Sequence, residues 1–134
     1  MNNPRIEKIV RPFAALAGAM DLLTGLGLVF LPALTLTLMR VPVPDAEALV
    51  FVRFVGVFVG GVGASYYVAL ARENENAVWE VFRFTLVFRA AAGAFVLAAV
   101  VSGLWRWPWL AVTATDWGIA AVQGWLLWRR EERA

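Results

Sequence analysis

The run ALAGAMDLLTGLGLVFL, residues 15–31, is apolar over the length of a membrane crossing and carries a single charged residue, Asp21, near its middle. An ionised carboxylate at the centre of a bilayer costs about 2.5–3.5 kcal/mol on insertion scales. A core helix of a soluble bundle would carry a broad charged face opposite its apolar one, and this segment has none. It therefore reads as a membrane helix whose aspartate must meet a cation inside the protein.

The rest of the chain extends that reading. Of 134 residues, 61% are hydrophobic and 16% charged, whereas soluble domains run near half and a quarter. Four apolar segments, about 13–31, 48–71, 78–104 and 109–128, are each long enough to cross a hydrocarbon core of about 30 Å at 1.5 Å per residue. The expected fold is all-α, one integral membrane domain over 1–134 built as a four-transmembrane-helix bundle. A basic tail before an apolar run also describes a signal peptide. Here the apolar stretch continues well past Gly18-Ala19-Met20, so the first helix is read as retained.

The connections carry their own signals. Pro32, Pro42 and Pro44 interrupt the chain after the first segment, and Asp45 with Glu47 marks an acidic helix start. PALTLTLMRVPVP, residues 32–44, alternates leucine with threonine and is expected as an interfacial extended piece or a short broken helix, because a lone strand cannot satisfy its backbone in lipid. ARENENA, residues 71–77, separates the second and third segments, with Asn76 as the expected N-cap. WRWPW, residues 105–109, forms a turn between the third and fourth.

Orientation follows from lysine and arginine. Arg5, Lys8, Arg11, Arg72, Arg129, Arg130 and Arg133 flank one side, and Arg40 and Arg106 the other. Seven against two places both termini in the cytoplasm. With these residues assigned to the membrane flanks no basic patch remains for nucleic acid. Trp105, Trp107 and Trp109 gather at the outer turn and Trp79, Trp125 and Trp128 at the inner ends, where interfacial tryptophans belong. Trp117 alone is deep, and helix packing is its expected role.

Four charges lie inside the segments, one per helix: Asp21, Arg53, Arg89 and Asp116. At helical rise Asp21 and Arg89 are roughly 12 and 16 Å from the inner edge, and Arg53 and Asp116 roughly 8–10 Å from the outer one. Two acids and two bases are expected to neutralise one another, Asp21 with Arg89 or Arg53 and Asp116 with Arg89. Gln123 falls on the Asp116 face of the last helix. Gly18 and Gly25 align with Asp21, Gly56 and Gly60 with Arg53, and Gly93 with Arg89, so small residues that let membrane helices approach surround each ion.

The function classes narrow accordingly. The chain has no cysteine and no histidine, which removes disulfides, imidazole ligation of haem and the usual zinc sites, so no metal and no cofactor is expected. Ser65 and Ser102 have no imidazole to activate them, so no catalytic residue is assigned. Balanced buried charge favours a salt-bridge lock. The expected role is a non-catalytic accessory or assembly subunit of a membrane complex, with lipid, partner proteins or further copies of itself as neighbours. The alternative is a small transporter or binder of an amphipathic or ionic molecule lined by the buried charges.

The pattern R-x-x-G-x-x-x-G-G-x-G-x-x-Y-Y over residues 53–67, followed by Arg89 in the third segment and Asp116 in the fourth, resembles small bacterial four-helix membrane proteins of the DoxX-like and uncharacterised-domain type. That resemblance implies a bacterial inner-membrane location and links to membrane-bound oxidoreductase and stress systems. Small multidrug-resistance transporters also place a carboxylate in the first of four helices. They typically use glutamate, and several deep arginines would oppose a lipophilic cation.

Overall fold

A computed structural model describes residues 4–72, 74 and 76–132; the side chain of Arg5, and Glu73, Glu75 and Arg133, lie outside the described residues. The chain forms five helices, α1 (Pro4–Phe30), α2 (Pro32–Leu38), α3 (Ala46–Leu70), α4 (Asn76–Val101) and α5 (Leu110–Glu131), with a 3-10 turn at Trp107–Trp109.

Local chemistry sets the boundaries. Asp45 caps α3, its side chain accepting the Ala48 N–H at 2.9 Å. Asn76 is not a cap but the first helical residue of α4, its own N–H held by Asn74 Oδ1 at 2.9 Å. α4 stops at Val101, three residues short of the expected Leu104, because Gly103 takes a left-handed conformation (φ 77°) there. α1 begins well before Phe13, since hydropathy marks where a helix enters lipid and says nothing about where it starts to coil. In residues 32–44 the helix prevails over the extended alternative: Pro32 starts α2, and the Thr35 and Thr37 hydroxyls fold back onto the carbonyls of Leu31 and Ala33. α2 ends at Leu38; two residues on, Arg40 adopts φ 60°, and the Val41 N–H reaches back to Leu36 O at 3.1 Å.

α1 and α3 form one antiparallel pair in close contact. A Cβ at Gly18 would lie 2.8 Å from Tyr66 Cβ, and one at Gly56 would lie 2.8 Å from Leu28 Cβ. At Gly25 and Gly63 a Cβ would strike the facing backbone itself, Gly60 in one case and Leu22 in the other. Gly60 receives that approach but has room of its own, its Cβ position being 3.8 Å from Gly25 Cα. α4 and α5 form a second antiparallel pair, Gly93 making space for the Trp117 indole, which donates to Ala90 O at 3.3 Å.

The two pairs join mostly through side chains. At one end Ala14, Phe82 and Leu126 centre an apolar core with Tyr66 and Trp79; at the other, Leu28, Leu36 and Val41 pack under α2. The first end also gathers the start of α1 and the end of α5: Arg11 donates to Leu70 O at 3.1 Å, Arg83 meets Glu131 at 3.2 Å, and Arg130 lies 4.8 Å over the Trp79 ring and bonds Asn76. Trp105 and Trp109 stack at 4.5 Å at the opposite end.

Three helices are long and apolar enough to cross a membrane: Lys8–Phe30, Ala46–Leu70 and Asn76–Val101. α5 has the length, about 33 Å over its 22 residues. It is less apolar than the other three because Thr113, Thr115, Asp116, Gln123, Arg129 and Arg130 share it.

Candidate functional site

Between the two apolar ends lie two polar layers. The buried face of α1 runs through Ala14, Ala17, Asp21, Gly25 and Leu28, steps of three and four that put the carboxylate inside the bundle. Arg89 stands on the buried face of α4 with Thr85 and Gly93, and its long side chain crosses from there toward α1.

Arg89 bridges the two aspartates. Its Nη2 donates to Asp21 Oδ2, and its Nη1 donates to Asp116 Oδ1 at 2.8 Å. Arg89 is 2% exposed and Asp21 6%. The Asp116 side chain keeps 18% of its surface open, which makes it the edge of the cluster. Of the two partners expected for Asp21, Arg89 and Arg53, it is Arg89 that meets it, and Asp116 meets Arg89 as well.

Arg53 does not join them. It stands on the α3 stripe that faces α1, three residues before Gly56, and from there its Nη1 donates to Val29 O. Val29 lies in the last turn of α1, where carbonyls lack helical partners and the helix dipole is negative. Arg53 is exposed, and among the described residues no carboxylate lies within ion-pair distance of it. Arg11 makes the reciprocal contact, onto Leu70 at the carbonyl end of α3. Each helix of the α1/α3 pair thus lends an arginine to the end of the other, a use of Arg53 that residue depth alone does not reveal.

The expected balance of two against two is therefore two against one. With all three groups ionised, Asp21, Asp116 and Arg89 carry one negative charge in excess. A guanidinium between two carboxylates fixes the crossing of α1, α4 and α5, but it does not neutralise both acids.

The second layer sits one helical turn from Arg89 toward the apolar core around Phe82 and Leu126. Gln123 Nε2 donates to the Tyr66 hydroxyl at 2.6 Å and to Thr85 Oγ1 at 2.9 Å. Thr85 gives its own proton to Val81 O at 2.7 Å, so the Tyr66 hydroxyl donates to Thr85 across 2.9 Å. All three side chains are fully buried. Gln123 Oε1 and Arg89 Nε have no partner among the described residues. Gln123 thus belongs to a neutral triad from α3, α4 and α5 and does not touch the ions. Sequence reasoning assigned neither Tyr66 nor Thr85 to a site. Thr85 could have been found from its position four residues before Arg89; Tyr66 was masked by Tyr67, which shares the glycine stripe but only donates to Ala15 O at 3.0 Å.

Ser65 and Ser102 donate to the carbonyls of Val62 and Ala99, at 2.6 and 3.2 Å. Comparison with family models, curated proteins and solved structures finds no match to this chain.

Proposed function

We propose that this is an integral membrane protein of four spans, α1, α3, α4 and α5, with both termini on the cytoplasmic side, that binds a positively charged group at Asp116 and performs no catalysis. One observation carries the reading: Arg53 is engaged at the end of α1, so Arg89 alone faces two carboxylates. A lock needs neutrality, whereas a binding site needs surplus charge, and an uncompensated carboxylate in lipid is costly enough to seek a partner. The low count of deep cations now favours a cationic group, where four balanced charges would have opposed one.

Several features support the topology. Both described chain ends lie at the end that holds Arg11, Arg129 and Arg130, in keeping with a positive inner flank. Arg129 stacks 5.4 Å from the Trp128 ring and 5.9 Å from that of Trp125, the mixture of cation and indole typical of a membrane interface. α5 pairs with α4 along its length, which supports reading it as a fourth span despite its polar residues. The family resemblance adds the reading of a bacterial inner membrane. The bound group belongs either to an amphipathic molecule or to the helix of a protein neighbour, and the second makes the protein an assembly subunit.

The test uses dodecylguanidinium as probe, with protein diluted in neutral detergent. Saturable binding of one probe per chain, followed by tryptophan fluorescence, is expected, weakened at least about tenfold, a change worth about 1.4 kcal/mol, in Asp116→Asn. Equal binding by wild type and variant, or none by either, overturns the reading.

A further inference from the structure

The end of the bundle that holds Arg11 and Arg130 has an open cleft between the start of α4 and the end of α5. It measures about 380 Å³ and is lined by Asn76, Glu80, Arg83, Arg130 and Glu131, two guanidinium groups and two carboxylates among them. Arg83 and Glu131 are paired at 3.2 Å. Arg130 and Glu80 are paired neither with each other nor with any further charge among the described residues. Arg130 is nevertheless held in place, 4.8 Å over the Trp79 ring and bonded through Nη2 to Asn76 Oδ1, which leaves most of its five N–H donors free. The cleft thus offers a fixed cation and a separate carboxylate, each without a counter-charge.

An apolar surface continues the cleft along α4. Asn76, Glu80, Arg83, Val87, Ala90 and Ala94 follow one another at steps of three and four, so they form one exposed stripe, polar in its first half and apolar in its second. Arg83 respects that division. Thr85 meets Gln123 across the helix pair, which puts the Arg83 Cα roughly 9 Å deeper than that of Glu131, yet the Arg83 guanidinium reaches Glu131. Its side chain therefore runs up the cleft toward the end of the bundle, as a cation at a membrane boundary does.

We infer that this cleft is a site for one phosphatidylethanolamine molecule, its phosphate on Arg130, its ammonium on Glu80 and an acyl chain along Val87, Ala90 and Ala94. The inference rests on the reading of α4 and α5 as spans, which sets the cleft at headgroup depth, and it is independent of cation binding at Asp116. Charge complementarity selects the headgroup. An anionic lipid gains Arg130 but faces the unpaired Glu80, and a choline headgroup has no N–H to give that carboxylate. Ethanolamine carries a phosphate and a hydrogen-bonding ammonium on one short link, so it satisfies both unpaired groups at once and leaves the Arg83–Glu131 pair intact.

Native mass spectrometry of the protein in neutral detergent tests this with equal amounts of palmitoyl-oleoyl phosphatidylethanolamine, phosphatidylglycerol and phosphatidylcholine. One ethanolamine lipid per chain is expected in preference to the other two. Arg130→Gln should weaken its binding at least about tenfold, as the loss of a charge-assisted hydrogen bond implies. Glu80→Gln should instead reverse the order in favour of phosphatidylglycerol, an outcome that a merely structural role would not produce. Arg129→Gln, which alters an interfacial arginine outside the cleft, should leave the preference unchanged. No ethanolamine preference in the wild type, or its retention in Glu80→Gln, overturns the site. Displacement of the lipid by free phosphoethanolamine at equal concentration also overturns it, since the apolar stripe would then contribute nothing. Failure here is distinguishable from failure of the reading above. Asp116→Asn is expected to weaken dodecylguanidinium binding and to leave the lipid adduct unchanged. Tryptophan quenching by brominated phosphatidylcholine in vesicles is expected from insertion alone: its absence breaks the span reading, whereas quenching without an ethanolamine preference breaks only the lipid site.

Discussion

The seam between α1 and α3 and the joint between the two helix pairs hold the same bundle together by opposite means. In the seam, Gly18, Gly25, Gly56 and Gly63 bring backbone against backbone, and no ion pair crosses it among the described residues. In the joint, helices stay farther apart and long polar side chains reach across: Arg89 to Asp21, and Tyr66 to Thr85 and Gln123. Lipid offers little hydrophobic drive for helices to associate, so contact must come from dispersion between closely packed surfaces or from polar groups with no better partner. The seam takes the first route and the joint takes the second. A close seam tolerates no added volume where a Cβ would meet the facing backbone, as at Gly25 and Gly63, whereas a polar joint tolerates volume but not the loss of one member.

That contrast can be broken at either place. The largest effect is expected for Gly25→Leu, whose side chain would be driven into the backbone of Gly60. Separation of α1 from α3 should cost more than about 3 kcal/mol, read as loss of the monodisperse species in size-exclusion chromatography. In the joint, Arg89→Met leaves two carboxylates facing each other without a counter-ion and should cost about 3–5 kcal/mol in reversible unfolding by sodium dodecyl sulfate. The triple change Asp21→Asn, Arg89→Met, Asp116→Asn should lose less than Arg89→Met alone, because it removes the orphaned charge together with its partner. If the triple variant is the weaker one, the joint is held by shape and not by charge. The smallest effect is expected at Gly60→Ala: its Cβ meets only Gly25 Cα at an ordinary 3.8 Å, and alanine gains up to about 1 kcal/mol in helix propensity. A neutral or stabilised protein there, beside a collapsed Gly25→Leu, would show that the seam is read on one side at that level.

The same two regions differ in how legible they were. The glycine stripe of α3 and the alignment of Gly18 and Gly25 with Asp21 could be read directly, since a period of three and four fixes which residues share a helix face. Gly63, among the tightest of the contacts, lay inside the quoted pattern and yet gave no sign that it would meet the Leu22 backbone rather than lipid. In the joint, the pairing of Asp116 with Arg89 was legible from depth and charge, whereas Asp21 was left between Arg89 and Arg53. The role of Arg53 was not legible, because a guanidinium satisfied by the carbonyl end of another helix leaves no mark in its own sequence neighbourhood.

Sequence by itself determined that the chain is helical, where its apolar segments begin and end to within a few residues, and that buried acids would require buried bases. Those conclusions depend only on composition, period and the cost of charge in lipid. Tertiary structure decided which base serves which acid, that one arginine answers two carboxylates while another caps a helix, and that Tyr66 and Thr85 share a layer with Gln123. Such choices turn on the rotation of each helix about its own axis and on a few ångströms of side-chain reach, quantities that no one-dimensional spacing contains.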